Sequence, residues 1–185
     1  TKGDYVSELN GKLKGKKIGI PKEYFDKNLD PEIGQCLNEA KDIFSKLGCK
    51  LVDIELTSTE MAVASYYIIA PAECSSNLAR FDGVKYGFRS MNSSDIDSLY
   101  KNTRDEGFGT EVKRRILIGT YALSSGYYDK YYEQAQRVRS VIRNDFKEAF
   151  KKVDVILGPT TPSTAFPLKN GAPSDPTELY SSDLY

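Results

Sequence analysis

Between residues 17 and 56 a short apolar run, an amphipathic stretch and a second apolar run follow one another, and this succession constrains the fold more than any other feature. Residues 17–20 (KIGI) predict a strand that stops at Pro21, since a proline nitrogen has no hydrogen for a sheet ladder. Asp30 then predicts an N-cap, with Pro31 in the first turn, where a missing N–H costs no hydrogen bond. Ile33, Leu37, Ala40, Phe44 and Leu47 recur on one helical face and Gly48 supplies the stop. Residues 51–56 return as a strand. Two strands separated by a helix do not form a hairpin, so the default is parallel pairing through a right-handed crossover. The chain is therefore expected to be α/β, with helices flanking the sheet.

Beyond this unit the pattern is mostly helical. Residues 58–78 predict a helix interrupted or bent at Pro71, because proline clashes with the preceding turn, and the RFDG of residues 80–83 ends it. Residues 95–99 predict one short helical turn. Two helices in series follow, about 111–123 and about 128–152, separated by Ser124, Ser125 and Gly126, which are read as capping the second. That second helix has Tyr131, Ala135, Val138, Ile142, Phe146 and Ala149 on one side and a basic ridge of Arg139, Arg143, Lys147 and Lys151 on another. Residues 153–157 predict a third strand. No internal repeat and no low-complexity tract is present.

The 185 residues suffice for one domain with a real core. They start at Thr1 rather than at a methionine and close on a polar, proline-rich run, so the chain is expected to be a single partial domain, residues 1–185 of a longer protein. Lys plus Arg and Asp plus Glu both total 26, which gives no overall push toward nucleic acid or membrane. No stretch approaches the ~20 consecutive apolar residues of a membrane helix, and a soluble cytoplasmic protein is the simplest expectation. Cys36, Cys49 and Cys74 have neither disulfide-framework nor zinc-site spacing and are read as reduced, mostly buried thiols. Histidine is absent, so no histidine base or metal ligand operates within this chain.

The segment from Glu106 to Tyr132, EGFGTEVKRRILIGTYALSSGYYDKYY, carries the chemistry. Gly107 and Gly109 around Phe108 mark a loop, and Lys113, Arg114 and Arg115 fall on the first turns of the helix behind it. An arginine where a loop meets a partly buried helix suits a planar carboxylate, which makes this a candidate anion clamp. The residues alone leave the alternative of a solvated basic face open. Tyr121, Tyr127, Tyr128, Tyr131 and Tyr132 suit base stacking, but at helical spacing such residues more often serve core and interface. The basic ridge similarly leaves contact with RNA phosphates open, diluted by Asp145 and Glu148.

This segment, together with KIGIPKEYF at residues 17–25, SSNLARFDG at 75–83 and GPTTPSTAF at 158–166, resembles the amidase-signature family. Within the family it is similar to the glutaminase subunits of glutamine-dependent aminoacyl-tRNA amidotransferases, and the blocks lie in register from the first strand onward. The resemblance implies an α/β fold with an amidase-signature-like mixed sheet and flanking helices, present here only as a central to C-terminal fragment. It implies hydrolysis of glutamine through a serine acyl-enzyme, whose two serines and lysine lie in an N-terminal region outside this chain; no catalytic role falls to any serine here. The ammonia then serves conversion of Glu-tRNA(Gln) to Gln-tRNA(Gln). Implied partners are glutamine and the other subunits of a heterotrimeric complex, with no membrane, and misacylated tRNA is bound mainly by the partner subunit. No cofactor is implied in this chain; ATP and Mg belong to the partner subunit.

Residue by residue, the resemblance places Arg115 at the α-carboxylate of glutamine, Asp183 at the α-ammonium and Tyr66 beside the substrate. Arg114 and Tyr67 are the neighbours to which a slip of one position would transfer these roles. A free amino acid presents one anion and one cation, and charge-assisted bonds to both would fix its side-chain amide for attack. The alternatives are a small-molecule amidase of the same superfamily and a non-catalytic module that only docks partners.

Overall fold

The computed structural model describes residues 3–7, 9–25, 29–85 and 87–165. Strand β1 (Lys17–Pro21) leads through a 3-10 turn (Lys22–Phe25) into helix α1 (Pro31–Lys46) and strand β2 (Lys50–Ile54). A second 3-10 turn (Thr57–Met61) precedes α2 (Ala62–Leu78), α3 (Ile96–Gly107) and α4 (Thr110–Ala122). A π-helical turn (Asp129–Glu133) then opens α5 (Gln134–Ala149), and β3 (Val155–Ile156) closes the series. Among the described residues the sheet order is β2-β1-β3 with every pair parallel, Lys17 facing Lys50 and Ile18 facing Val155. The parallel crossover read from the sequence is thus present, and α1 is capped as expected: the Asp30 carboxylate accepts the Glu32 N–H at 2.8 Å.

The chain divides into two compact units, one formed by Thr1–Glu60 with Ile142–Tyr185 and the other by Met61–Val141. In the first, Ile54, Leu56, Ala149 and Val153 form a buried cluster with Tyr24, Val52, Phe146 and Ile156 packed against it. Burial at about 25 cal/mol per Å² of apolar area makes such a cluster the main stabiliser of the sheet. Asp145 accepts the Ser58 N–H at 2.9 Å and so satisfies a backbone donor in the 3-10 turn before α2. Beyond its two strand residues, β3 is extended at both ends: Asp154 N–H donates to the Lys17 carbonyl and Leu157 N–H to the Gly19 carbonyl, each at 2.9 Å. The Asp154 carboxylate also accepts the Lys17 N–H at 2.7 Å.

In the second unit α2 packs on α4, and the contact is backbone on backbone at Gly119. A β-carbon there would lie 1.9 Å from the Pro71 carbonyl oxygen and 2.8 Å from Ser75 Cβ, so only glycine fits this crossing. Next to it the Ser75 and Thr120 hydroxyls bond at 2.9 Å. At the far end of α2, Arg104 donates to the carbonyls of Leu78 (2.9 Å) and Phe81 (3.2 Å), taking up acceptors that a helix end leaves open.

Several expectations are corrected. The predicted short turn at residues 95–99 is the first turn of a 12-residue helix, α3. It is closed by a capping box in which the Asp95 carboxylate takes the Ser98 N–H and the Ser98 hydroxyl takes the Asp95 N–H. Only Leu99 and Thr103 of α3 are buried, too sparse an apolar pattern to reveal its length. Of the interruption or bend expected at Pro71, the interruption does not occur, since α2 continues through this buried residue. Ser124 does not cap the following helix; its hydroxyl donates to the Tyr121 carbonyl at 2.7 Å and finishes α4. The helix expected over 128–152 opens with a π turn, in which Glu133 N–H reaches back to the Tyr128 carbonyl, and ends at Ala149. All three cysteines are free, but Cys36 is exposed and Cys49 and Cys74 are half-buried, because Cys36 sits one residue off the face that Leu37 buries.

Candidate anion-binding site

The three cations of the KRR triplet leave α4 in different directions. Lys113 pairs with Asp105. Arg114 and Arg115 share a single carboxylate: Glu111 accepts from Arg114 Nη1 through Oε2 at 2.9 Å and from Arg115 Nε through Oε1 at 3.1 Å. The spacings are i,i+3 and i,i+4, the two at which helix neighbours meet.

The two arginines differ in what else they touch. The Arg115 guanidinium lies 5.8 Å from the centroid of the Tyr67 ring, within cation–π range, and its side chain is 30% exposed against 45% for Arg114. Tyr67 in turn meets Tyr66 edge to face, ring centroids 5.0 Å apart at 84°. A hydrogen bond with the Tyr66 hydroxyl, followed by that with Glu111, holds Arg115 in its charged form above the ordinary arginine range. Both tyrosines come from α2, and the tight α2–α4 crossing at Gly119 sets their distance from α4. The result is a permanently charged, partly desolvated planar cation on an aromatic wall, an arrangement suited to a carboxylate.

Of the residues the sequence pointed to, Tyr66 and Arg115 are therefore brought together, while Asp183 lies outside the described residues. Glu111 was missed as a site residue, although EVKRR places an acid three and four residues before two arginines. Tyr121, Tyr127 and Tyr131 form a cluster with centroids 4.4 to 6.1 Å apart, but at 50%, 38% and 40% exposure they are not core residues. Hydrogen bonding with Tyr127, the largest cause, and partial burial push the Tyr121 phenol up to about 12. Of the basic ridge, Lys151 is paired with Glu148 at 2.6 Å, while Arg139, Arg143 and Lys147 are exposed. Among the described residues no helix is long and apolar enough to cross a membrane.

A three-stranded parallel sheet with flanking helices describes an α/β protein. The family model described as Amidase matches residues 1–185, and the chain belongs to that family, the amidase-signature family. It is 53% identical over 182 residues to the A subunit of the glutamyl-tRNA(Gln) amidotransferase from Chromohalobacter salexigens, covering 98% of this chain and 37% of that protein. Its counterpart from Coxiella burnetii (strain Dugway 5J108-111) is 52% identical, with 98% and 38% covered. The chain thus spans well under half the length of these curated relatives. Among solved structures, the crystal structure of the A subunit of glutamyl-tRNA(Gln) amidotransferase from Thermotoga maritima superposes with a TM-score of 0.70 at 32% identity, covering 100% of this chain and 35% of that one. A bacterial aryl acylamidase of the amidase-signature family shares the fold, with a TM-score of 0.60 at 18% identity over 89% of this chain and 31% of its own.

Proposed function

We propose that the chain is part of the glutaminase subunit of a glutamine-dependent aminoacyl-tRNA amidotransferase and supplies its amino-acid recognition wall. The observation that carries this reading is the 53% identity, over 98% of the chain, to the A subunit of a glutamyl-tRNA(Gln) amidotransferase. In this reading the whole subunit hydrolyses glutamine through a serine acyl-enzyme, with the serines and lysine upstream of this chain. The released ammonia passes to a partner subunit, where ATP and Mg activate the glutamate of Glu-tRNA(Gln) for amidation to Gln-tRNA(Gln). The complex works in the cytoplasm as a heterotrimer, and tRNA is held mainly by the partner subunit.

Within this chain Arg115 grips the α-carboxylate and Tyr66 flanks it; Asp183 takes the α-ammonium, an assignment that rests on its charge and on the family resemblance. Geometry favours Arg115 over Arg114, since Arg115 is the more buried of the two and rests on the Tyr67 ring. A charge-assisted bond of this kind is worth about 1.5 to 3 kcal/mol. Arg115→Ala in the full-length subunit is therefore expected to raise the glutamine KM by about 10- to 100-fold, with Arg115→Lys recovering only part because the planar fork is lost. Steady-state ammonia release measures this. Unchanged kinetics in Arg115→Ala with Arg114→Ala impaired would move the site to Arg114, and equal hydrolysis of simple uncharged amides would favour a small-molecule amidase.

A further inference from the structure

We propose that Glu111 is the positioning residue of this site: its carboxylate pins Arg115 by Nε and draws Arg114 aside, presenting the terminal nitrogens of Arg115 to the substrate carboxylate. The proposal rests on the reading of Arg115 as the carboxylate-binding residue and deepens it. Its basis is which atoms are used. A guanidinium grips a carboxylate bidentately through two parallel N–H groups on one edge. Glu111 Oε1 takes the Nε hydrogen of Arg115 at 3.1 Å, an engagement that leaves the edge formed by the two terminal nitrogens to a ligand. Arg114 is engaged differently, through its terminal Nη1 at 2.9 Å from Oε2 of the same carboxylate, which ties it to Glu111 by the end of its guanidinium rather than by Nε.

The second observation is the Tyr67 ring 5.8 Å from the Arg115 guanidinium, which confines the plane of that group from one side while Glu111 confines its edge. A long, flexible side chain is thus restrained before substrate arrives, and such preorganisation lowers the ordering cost of binding. Glu111 lies on the first turn of α4, where the helix dipole favours a negative charge. Exposed ion pairs spaced three or four residues apart on a helix contribute little to stability, so a purely structural role for Glu111 predicts little consequence of its loss.

The test uses the full-length amidotransferase complex with Glu111→Gln, Arg115→Ala and the double variant, each assayed on glutamine and on glutaminamide, which lacks the α-carboxylate. The expected result is a rise of about fivefold or more in the glutamine KM for Glu111→Gln, with kcat within about twofold, an unchanged glutaminamide KM and an unchanged melting temperature. In the Arg115→Ala background the Glu111 change should add nothing, because it acts through the residue already removed. A glutamine KM that stays the same or falls in Glu111→Gln, while Arg115→Ala raises it, would overturn the positioning role and leave the Arg115 reading standing. A glutamine KM insensitive to Arg115→Ala would overturn both.

Discussion

Replacing Gly119 by alanine sets two effects against each other. In a helix interior alanine is favoured over glycine by about 1 kcal/mol, and propensity alone predicts a more stable protein. Against this, the new methyl would stand 1.9 Å from the Pro71 carbonyl oxygen, and an ordinary contact begins near 3.4 Å, so α2 and α4 must part by about 1.5 Å. The obstructing atom is backbone and has no rotamer to yield. Overpacking of this kind costs about 1 to 3 kcal/mol, and the immovable partner puts Gly119→Ala at the upper end, a net loss of about 1 to 2 kcal/mol. Urea denaturation followed by circular dichroism measures it. Gly34→Ala in α1 is the control, since its nearest neighbour would be Leu29 Cδ2 at 3.9 Å, and it should stabilise by up to about 1 kcal/mol. Because α4 also carries Arg115, Gly119→Ala in the full-length subunit should raise the glutamine KM as the helices separate. A Gly119→Ala protein as stable as the parent, or more so, would refute the claim that this crossing tolerates only glycine.

Further expectations concern the acid range and the isolated chain. Asp95 is held below the usual carboxylate range, first by the Ser98 N–H and then by the Ser94 hydroxyl. A depressed carboxylate contributes stability that is present above its unfolded pKa and is lost as pH falls through the folded value, so Asp95→Asn should flatten the acid limb of the stability profile below about pH 4. Equal acid limbs in urea titrations of the two proteins would remove the cap from the account. The chain of 185 residues by itself should release no ammonia from excess glutamine, since binding groups without a nucleophile and its base supply little rate enhancement. Saturable turnover that survives repurification would place a nucleophile within it.

Local rules exposed β1, α1 and β2 because each signal is short-range: Pro21 ends a strand, Asp30 opens a helix, Gly48 at φ 85° closes it. Parallel pairing then follows from connectivity. Helix α3 escaped because its cap is a Ser98 hydroxyl rather than the usual glutamate or glutamine, and its body buries only Leu99 and Thr103. At the site, the basic triplet was visible, and so was the acid before it. What was not visible is that one carboxylate bridges two arginines, or that Tyr67 from α2 faces Arg115 from α4. The first depends on rotamers and the second on a helix crossing between residues 48 positions apart in the chain. The exposure of Tyr121, Tyr127 and Tyr131 shows the converse limit, since helical spacing of aromatic residues does not say that anything covers them.

The hydrogen bond from Lys17 N–H to Asp154 spans 137 positions, and with it the order of assembly on the ribosome follows. Strand β1 leaves the exit tunnel before β2 and is paired with it soon after, yet the β3 edge stays open until residue 157 has been made. The unit Met61–Val141 is continuous and complete before then. A nascent chain therefore carries a finished helical insert and a two-stranded, half-covered sheet at the same time. Until β3 arrives, Ile54 and Leu56 lack Ala149 and Val153, and this window is when the chain depends most on protection from aggregation.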